Sequence, residues 1–92
     1  LPHALETIGE HAFQDCKVLR EIELPRSIKV IGNKAFDDCD RLLSVTCLAP
    51  VPPVMEKMNG NTKKLIIRVE ESSFKLYKSD KQWKKFKLYE TF

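Results

Sequence analysis

Residues 28–50 repeat residues 5–27 without a gap, and this duplication constrains the fold more than any other feature of the chain. LETIGEHAFQDCKVLREIELPRS lies over IKVIGNKAFDDCDRLLSVTCLAP at a period of 23 residues. Seven positions are identical: Ile8/Ile31, Gly9/Gly32, Ala12/Ala35, Phe13/Phe36, Asp15/Asp38, Cys16/Cys39 and Leu19/Leu42. Leu5/Ile28 and Ile22/Val45 exchange one aliphatic for another. The matched positions are nearly all apolar. A unit this short cannot bury its own apolar side, so it must stack on a neighbour and share one core with it.

A fixed period of roughly 20–29 residues with leucines at fixed offsets indicates a leucine-rich solenoid. Ile22 and Leu24 alternate with Glu21 and Glu23, and Val45 and Cys47 alternate with Ser44 and Thr46. That is the period-2 pattern of a strand with one wet face. Leu19, Ile22, Leu24, Leu42, Val45 and Cys47 are therefore expected to point inward, with neighbouring coils paired in parallel about 4.8 Å apart. Ala12, Phe13 and Cys16, like Ala35, Phe36 and Cys39, fall at i, i+1 and i+4, which predicts one face of a short helical turn. Gly9 and Gly32 are expected to turn the chain at positive φ, and Pro25 to end the strand before it.

The pattern IGxxAFxxCxxLxxIxLP resembles the BspA-type leucine-rich repeats of bacterial surface proteins, in both registers. Leu1-Pro2 matches Leu24-Pro25 one period on, so the chain reads as the C-terminal piece of a longer solenoid, with any export signal and N-terminal cap upstream. An uncapped first coil would expose apolar surface and is expected to self-associate.

After Cys47 the repeat breaks. Residues 48–53, LAPVPP, predict a stiff extended connector, and Val54 to Lys64 an irregular excursion. Within it, Asn59-Gly60-Asn61 is a turn signal, and Met55 and Met58 are expected on one helical turn over the core. Residues 64–69, KLIIRV, predict a third strand, with Ile67 continuing the row of Ile22 and Val45, and Val69 the row of Leu24 and Cys47. Ser72 is the expected N-cap of a helix in which Phe74 and Tyr77 share the buried face. Asp80 is the expected second cap before Trp83 and Phe86, and residues 87–90 a final strand or tail. The order Cys47, Pro52, Pro53, Val69, Ser73, Tyr77, Trp83, Phe86 also resembles C-terminal ends of that family, with Glu70 and Ser72 standing where proline and glycine are usual. The whole predicts one domain over residues 1–92. Two repeats occupy residues 1–50, and a connector, third strand and helical cap occupy residues 51–92. The fold class is an α/β solenoid, a right-handed leucine-rich superhelix with a parallel sheet of three rungs, short helical turns and a C-terminal helical cap.

Net charge is +3, unevenly placed: residues 1–62 carry 7 basic and 9 acidic side chains, residues 63–92 carry 9 and 4. The basic end reads first as a solvated face. Its aromatics fall at core-facing spacing and the pI is 8.8, which argues against nucleic acid as a partner. No apolar run approaches the roughly 20 residues of a membrane helix. Cys16, Cys39 and Cys47 read as free, small hydrophobes, since stacked equivalents with parallel side chains are poor disulfide geometry. His3 and His11 lack ligand spacing to them. Asp37, Asp38 and Asp40 cluster without the spacing of a calcium loop. No nucleophile–base pair or phosphate loop is present, so the expectation is a protein that is not an enzyme and holds no cofactor or metal. The outward strand positions Glu21, Glu23, Ser44, Thr46, Ile66 and Arg68 are the candidate binding residues. The resemblance implies an extracellular or cell-surface module for adhesion to protein or glycan on a cell or host matrix. Two alternatives stand beside it: a purely structural terminus of a longer adhesin, and nucleic-acid binding through the basic end.

Overall fold

The computed structural model describes residues 4–10, 12–13, 16, 18–36, 39, 41–55 and 63–92. Leu1-Pro2, His3, His11, Asp15, Asp37, Asp38, Asp40, Met58 and the Asn59-Gly60-Asn61 turn lie outside them.

Two parallel sheets are built by successive turns of the chain. The larger holds β2 (Glu21–Leu24), β4 (Ser44–Cys47), β6 (Ile66–Val69) and β7 (Leu88–Thr91), paired in that order. The smaller holds β1 (Thr7–Ile8), β3 (Val30–Ile31) and β5 (Val54–Met55). Ile22, Val45 and Ile67 form one inward row, and Leu24, Cys47 and Val69 the other, as the alternation predicts. Ile8, Ile31 and Met55 face them from the smaller sheet, all buried. Between the sheets the rings of Phe13 and Phe36 stack with centroids 5.5 Å apart and planes 2° from parallel. The fold is thus a repeat α/β fold in which each coil closes the apolar side of its neighbour.

Among the described residues the larger sheet has four strands and not three. Leu88–Thr91 pairs with β6 along its full length, and Tyr89 extends the inward row of Ile67. The edge of β6 is therefore covered by a strand, and the helical residues between β6 and β7 pack elsewhere, over the core. Met55 is not on a helical turn. It is the inward residue of β5, and Val54 N–H donates to the Lys29 carbonyl at 2.8 Å.

The described residues of the Ala-Phe-x-x-Cys segments make short turns of the tight, 3-10 kind. Ala12 N–H reaches the Gly9 carbonyl, Cys16 N–H that of Phe13 and Leu19 N–H that of Cys16, all i to i−3; Ala35, Cys39 and Leu42 repeat the pattern. Phe13 N–H is diverted to the Ala35 carbonyl of the next coil at 2.8 Å, so it is lost to an i−4 ladder. Cys39 Sγ donates to the Phe13 carbonyl at 2.9 Å, a second bond between coils.

Neither Gly9 nor Gly32 adopts positive φ. Gly32 is required by proximity: a Cβ there would lie 2.4 Å from the Glu10 nitrogen and 2.6 Å from the Gly9 carbonyl carbon. The left-handed residue of that turn is Lys34, at φ 58°. A left-handed residue with a Cβ is strained. Lys34→Gly is expected to stabilise the chain by about 0.5–1 kcal/mol, after the extra unfolded-state entropy of glycine is set against the strain. Urea denaturation checks this, and a lower midpoint contradicts it.

After β6, a 3-10 turn (Glu71–Ser73) leads into α1 (Phe74–Ser79). Ser72 is not its cap. Glu71 N–H is taken by the Phe92 carbonyl and Ser73 N–H by that of Glu70, so backbone satisfies the first donors. The Glu70 carboxylate instead meets Arg26 at 2.6 Å. Asp80 does cap the following turn: its Oδ1 accepts from Gln82 N–H at 2.9 Å and Trp83 N–H at 3.2 Å. Trp83 and Phe86 are both buried, and the Trp83 indole N–H donates to the Pro53 carbonyl at 2.9 Å.

Tyr77 is fully buried. Its hydroxyl donates to the Ala49 carbonyl at 2.7 Å and stands 3.1 Å from Cys47 Sγ. Burial pushes both the Cys47 thiol and the Tyr77 phenol above their ordinary ranges, and burial raises Tyr89 likewise. A raised acid keeps its proton in the folded state while the unfolded chain loses it. Their contribution is fully present below the unfolded values and is lost as pH climbs above about 9. The urea midpoint is expected to be flat from neutral pH to that point and to fall beyond it, and Tyr77→Phe to flatten part of the fall. A midpoint that rises with alkalinity contradicts this.

Candidate interaction surface

The outward side chains of the larger sheet form two rows. Glu21, Ser44, Ile66 and Leu88 make one; Glu23, Thr46, Arg68 and Glu90 make the other. All six residues singled out in the sequence thus share one face. Glu21, Glu23 and Arg68 are exposed, while Ser44, Thr46 and Ile66 are half-buried by their neighbours. Five of them, Glu21, Glu23, Ser44, Thr46 and Arg68, line an open groove of about 280 Å³. Ile66 does not. It stands in a row with Leu88, which is 43% exposed.

Three residues of this face were not legible as such in the sequence: Leu88, Glu90 and Phe92. Arg68 Nε lies 3.3 Å from Glu90 Oε1, and its guanidinium carbon sits 5.8 Å from the centre of the Phe92 ring. The signal was the alternation of Leu88, Tyr89, Glu90 and Thr91, which four residues alone leave undecided between strand and tail.

Charge on the face is graded. Glu21 and Glu23 have no ion-pair partner among the described residues, whereas Arg68 pairs with Glu90. The hydroxyls of Ser44 and Thr46 stand beside the two acids, one strand over. Such a face can ion-pair and hydrogen-bond with a polar, partly basic ligand. The smaller sheet differs: its outward row is Thr7, Val30 and Val54, with Val54 62% exposed. Among the described residues no three His, Cys, Asp or Glu side chains converge as a metal site. No helix among them is long and apolar enough to cross a membrane.

The family model described as the BspA type leucine rich repeat region (6 copies) matches residues 1–75. No curated protein and no solved structure matched the chain. The matched span includes β1 to β6 and the start of α1, so it covers both duplicated units and the third coil. Families of this type are repeat modules of protein interaction, generally non-catalytic and typically surface-associated. The in-register strands, the stacked Phe13 and Phe36 and the matched repeat agree, and the chain belongs to the BspA type leucine rich repeat family.

Proposed function

We propose that this chain is a non-catalytic solenoid module that works at a cell surface or outside the cell. It binds protein or glycan through the outward face of its larger sheet. The observation that carries this reading is the register. Glu21, Glu23, Ser44, Thr46 and Arg68 stand around one groove, and the two acids have no counter-charge among the described residues. Stacked coils commonly present such extended surfaces to partners. The residues form a single domain, and the segment from α1 to Phe86 is its helical cap. Tyr77, Trp83 and Phe86 support the cap reading, since they bury three aromatics against the last coil. At the other end, a Cβ at Gly9 would meet nothing within 4 Å among the described residues, where Gly32 has a backbone against it. That end is suited to a further coil or to a second copy.

The test is binding to immobilised matrix proteins and to a glycan array. The charge-reversed variant Glu21→Lys/Glu23→Lys is compared with the unmodified chain. The expected result is a loss of binding of about tenfold or more with an unchanged melting temperature, since reversing a desolvated charge costs a few kcal/mol. Equal binding by both contradicts the proposed face. Binding only by a longer chain carrying more coils favours a purely structural terminus instead.

A further inference from the structure

Outside the C-terminal helical segment, Arg20, Lys34 and Arg41 have no ion pair among the described residues but other cations do. Arg26 pairs with Glu70, Lys29 with Glu6 and Arg68 with Glu90. Between Phe74 and Lys87 stand six lysines: Lys75, Lys78, Lys81, Lys84, Lys85 and Lys87, all exposed. None has a carboxylate partner among the described residues. Lys78 alone has a counterpart, the Tyr89 ring 4.9 Å away. The one acid of the segment, Asp80, has an oxygen committed to two backbone N–H groups. The buried residues of the same segment, Tyr77, Trp83 and Phe86, face the core, so the lysines lie on its solvent side.

We propose that this lysine face docks a linear anionic polysaccharide, sulfated or uronate-bearing. Six uncompensated ammonium groups along a short segment attract a chain of repeated negative charge and release its counterions. The chemistry of the face excludes closer rivals. Its ring systems are inside, so no platform is left on which bases of single-stranded nucleic acid could stack. It has no arginine between residues 74 and 87, so it meets anions with point charges only, and density of negative charge along a chain, not the geometry of a single phosphate, decides what it holds. Leu76, 51% exposed, is its only large exposed apolar side chain from Phe74 to Lys87, too little for the apolar face of a membrane-surface helix. Protein interfaces are depleted in lysine and anchored by aromatics, which this face withholds. The sheet face of the preceding section is made by other residues, so either can fail without the other.

Heparin is the probe, with an oligothymidine and phosphatidylserine vesicles as competitors of similar charge. The unmodified chain is expected to bind heparin most tightly, with affinity falling steeply between about 50 and 200 mM salt. Lys81→Glu/Lys84→Glu/Lys85→Glu should weaken heparin binding by about tenfold or more, and the milder Lys81→Gln/Lys84→Gln/Lys85→Gln by a smaller factor in the same direction. The control Arg20→Glu/Lys29→Glu/Arg41→Glu, of equal net charge change, should cost less than about threefold. Folding of each variant is checked by circular dichroism, and the glutamine triple decides if the glutamate triple unfolds. Equal losses in the segment and control triples would overturn the proposal, as would absence of heparin binding at low salt. Binding of the oligothymidine or the vesicles as tight as that of heparin would also overturn it.

Discussion

Replacing Trp83 by alanine is expected to lower the unfolding free energy by about 3–5 kcal/mol. The side chain is 2% exposed and is among the largest fully enclosed in the chain. Its ring stands edge-on to Tyr77 at 5.1 Å and tilted against Phe86 at 5.7 Å. Truncation would empty the space beside Phe36 and Met55, residues with which Trp83 already encloses a small apolar void. It would also strip the Pro53 carbonyl of its indole donor. Tyr89 OH bonds to the Trp83 carbonyl at 2.6 Å, so a shift of this turn would pull on β7 as well. The pure transfer and cavity terms therefore set the lower end of the range. Chemical denaturation measures it. A denaturation midpoint within error of the unmodified chain would show that the segment after β6 does not seal the core.

Gly32→Ala should be the second most damaging change, at about 2–3 kcal/mol. The new methyl meets backbone atoms of Gly9 and Glu10, which cannot swing aside as a flexible side chain would. Relief requires the two coils to part, and Gly32 N–H is bonded to the Ile8 carbonyl at 2.7 Å, so parting breaks that bond. Gly9→Ala is the matched control. The same substitution at the equivalent position of the first coil meets open space and should change stability by less than about 0.5 kcal/mol. Equal effects at the two sites would mean that close approach of coils is not why Gly32 is a glycine.

The duplicated strands were legible because their side-chain pattern and their spacing agreed. The third coil was only half legible. Ile31 pairs with Met55, a step of 24, while Cys47 pairs with Val69, a step of 22. Against a period of 23, one residue is gained before β5 and two are lost between β5 and β6, so a search at 23 finds neither strand. Val69 was recoverable because KLIIRV is a short aliphatic run rich in β-branched residues. Met55 was not, because a two-residue strand carries no period and its spacing of three from Met58 fits a helical turn. The short turns beside Phe13 and Phe36 follow from the i, i+1 and i+4 spacing, but their tight i to i−3 bonding does not: Phe13 N–H goes to the Ala35 carbonyl of the next coil, an acceptor invisible locally. The six outward residues of the larger sheet were placed correctly on one face, since that needs only the alternation and the pairing. What the sequence did not show was that Glu90 and Phe92 would close on Arg68 from a fourth strand.

Contacts between coils are read most directly by nuclear Overhauser effects in a carbon- and nitrogen-labelled sample. Cross-peaks are expected between the Phe13 and Phe36 rings, between Val45 and Ile67, and between Ile67 and the Tyr89 ring, with backbone effects in the parallel pattern from β2 through β7. A spectrum with well-dispersed signals but no Phe13–Phe36 contact, or with Val45 and Ile67 in unrelated environments, would contradict the stacking of one coil upon the next.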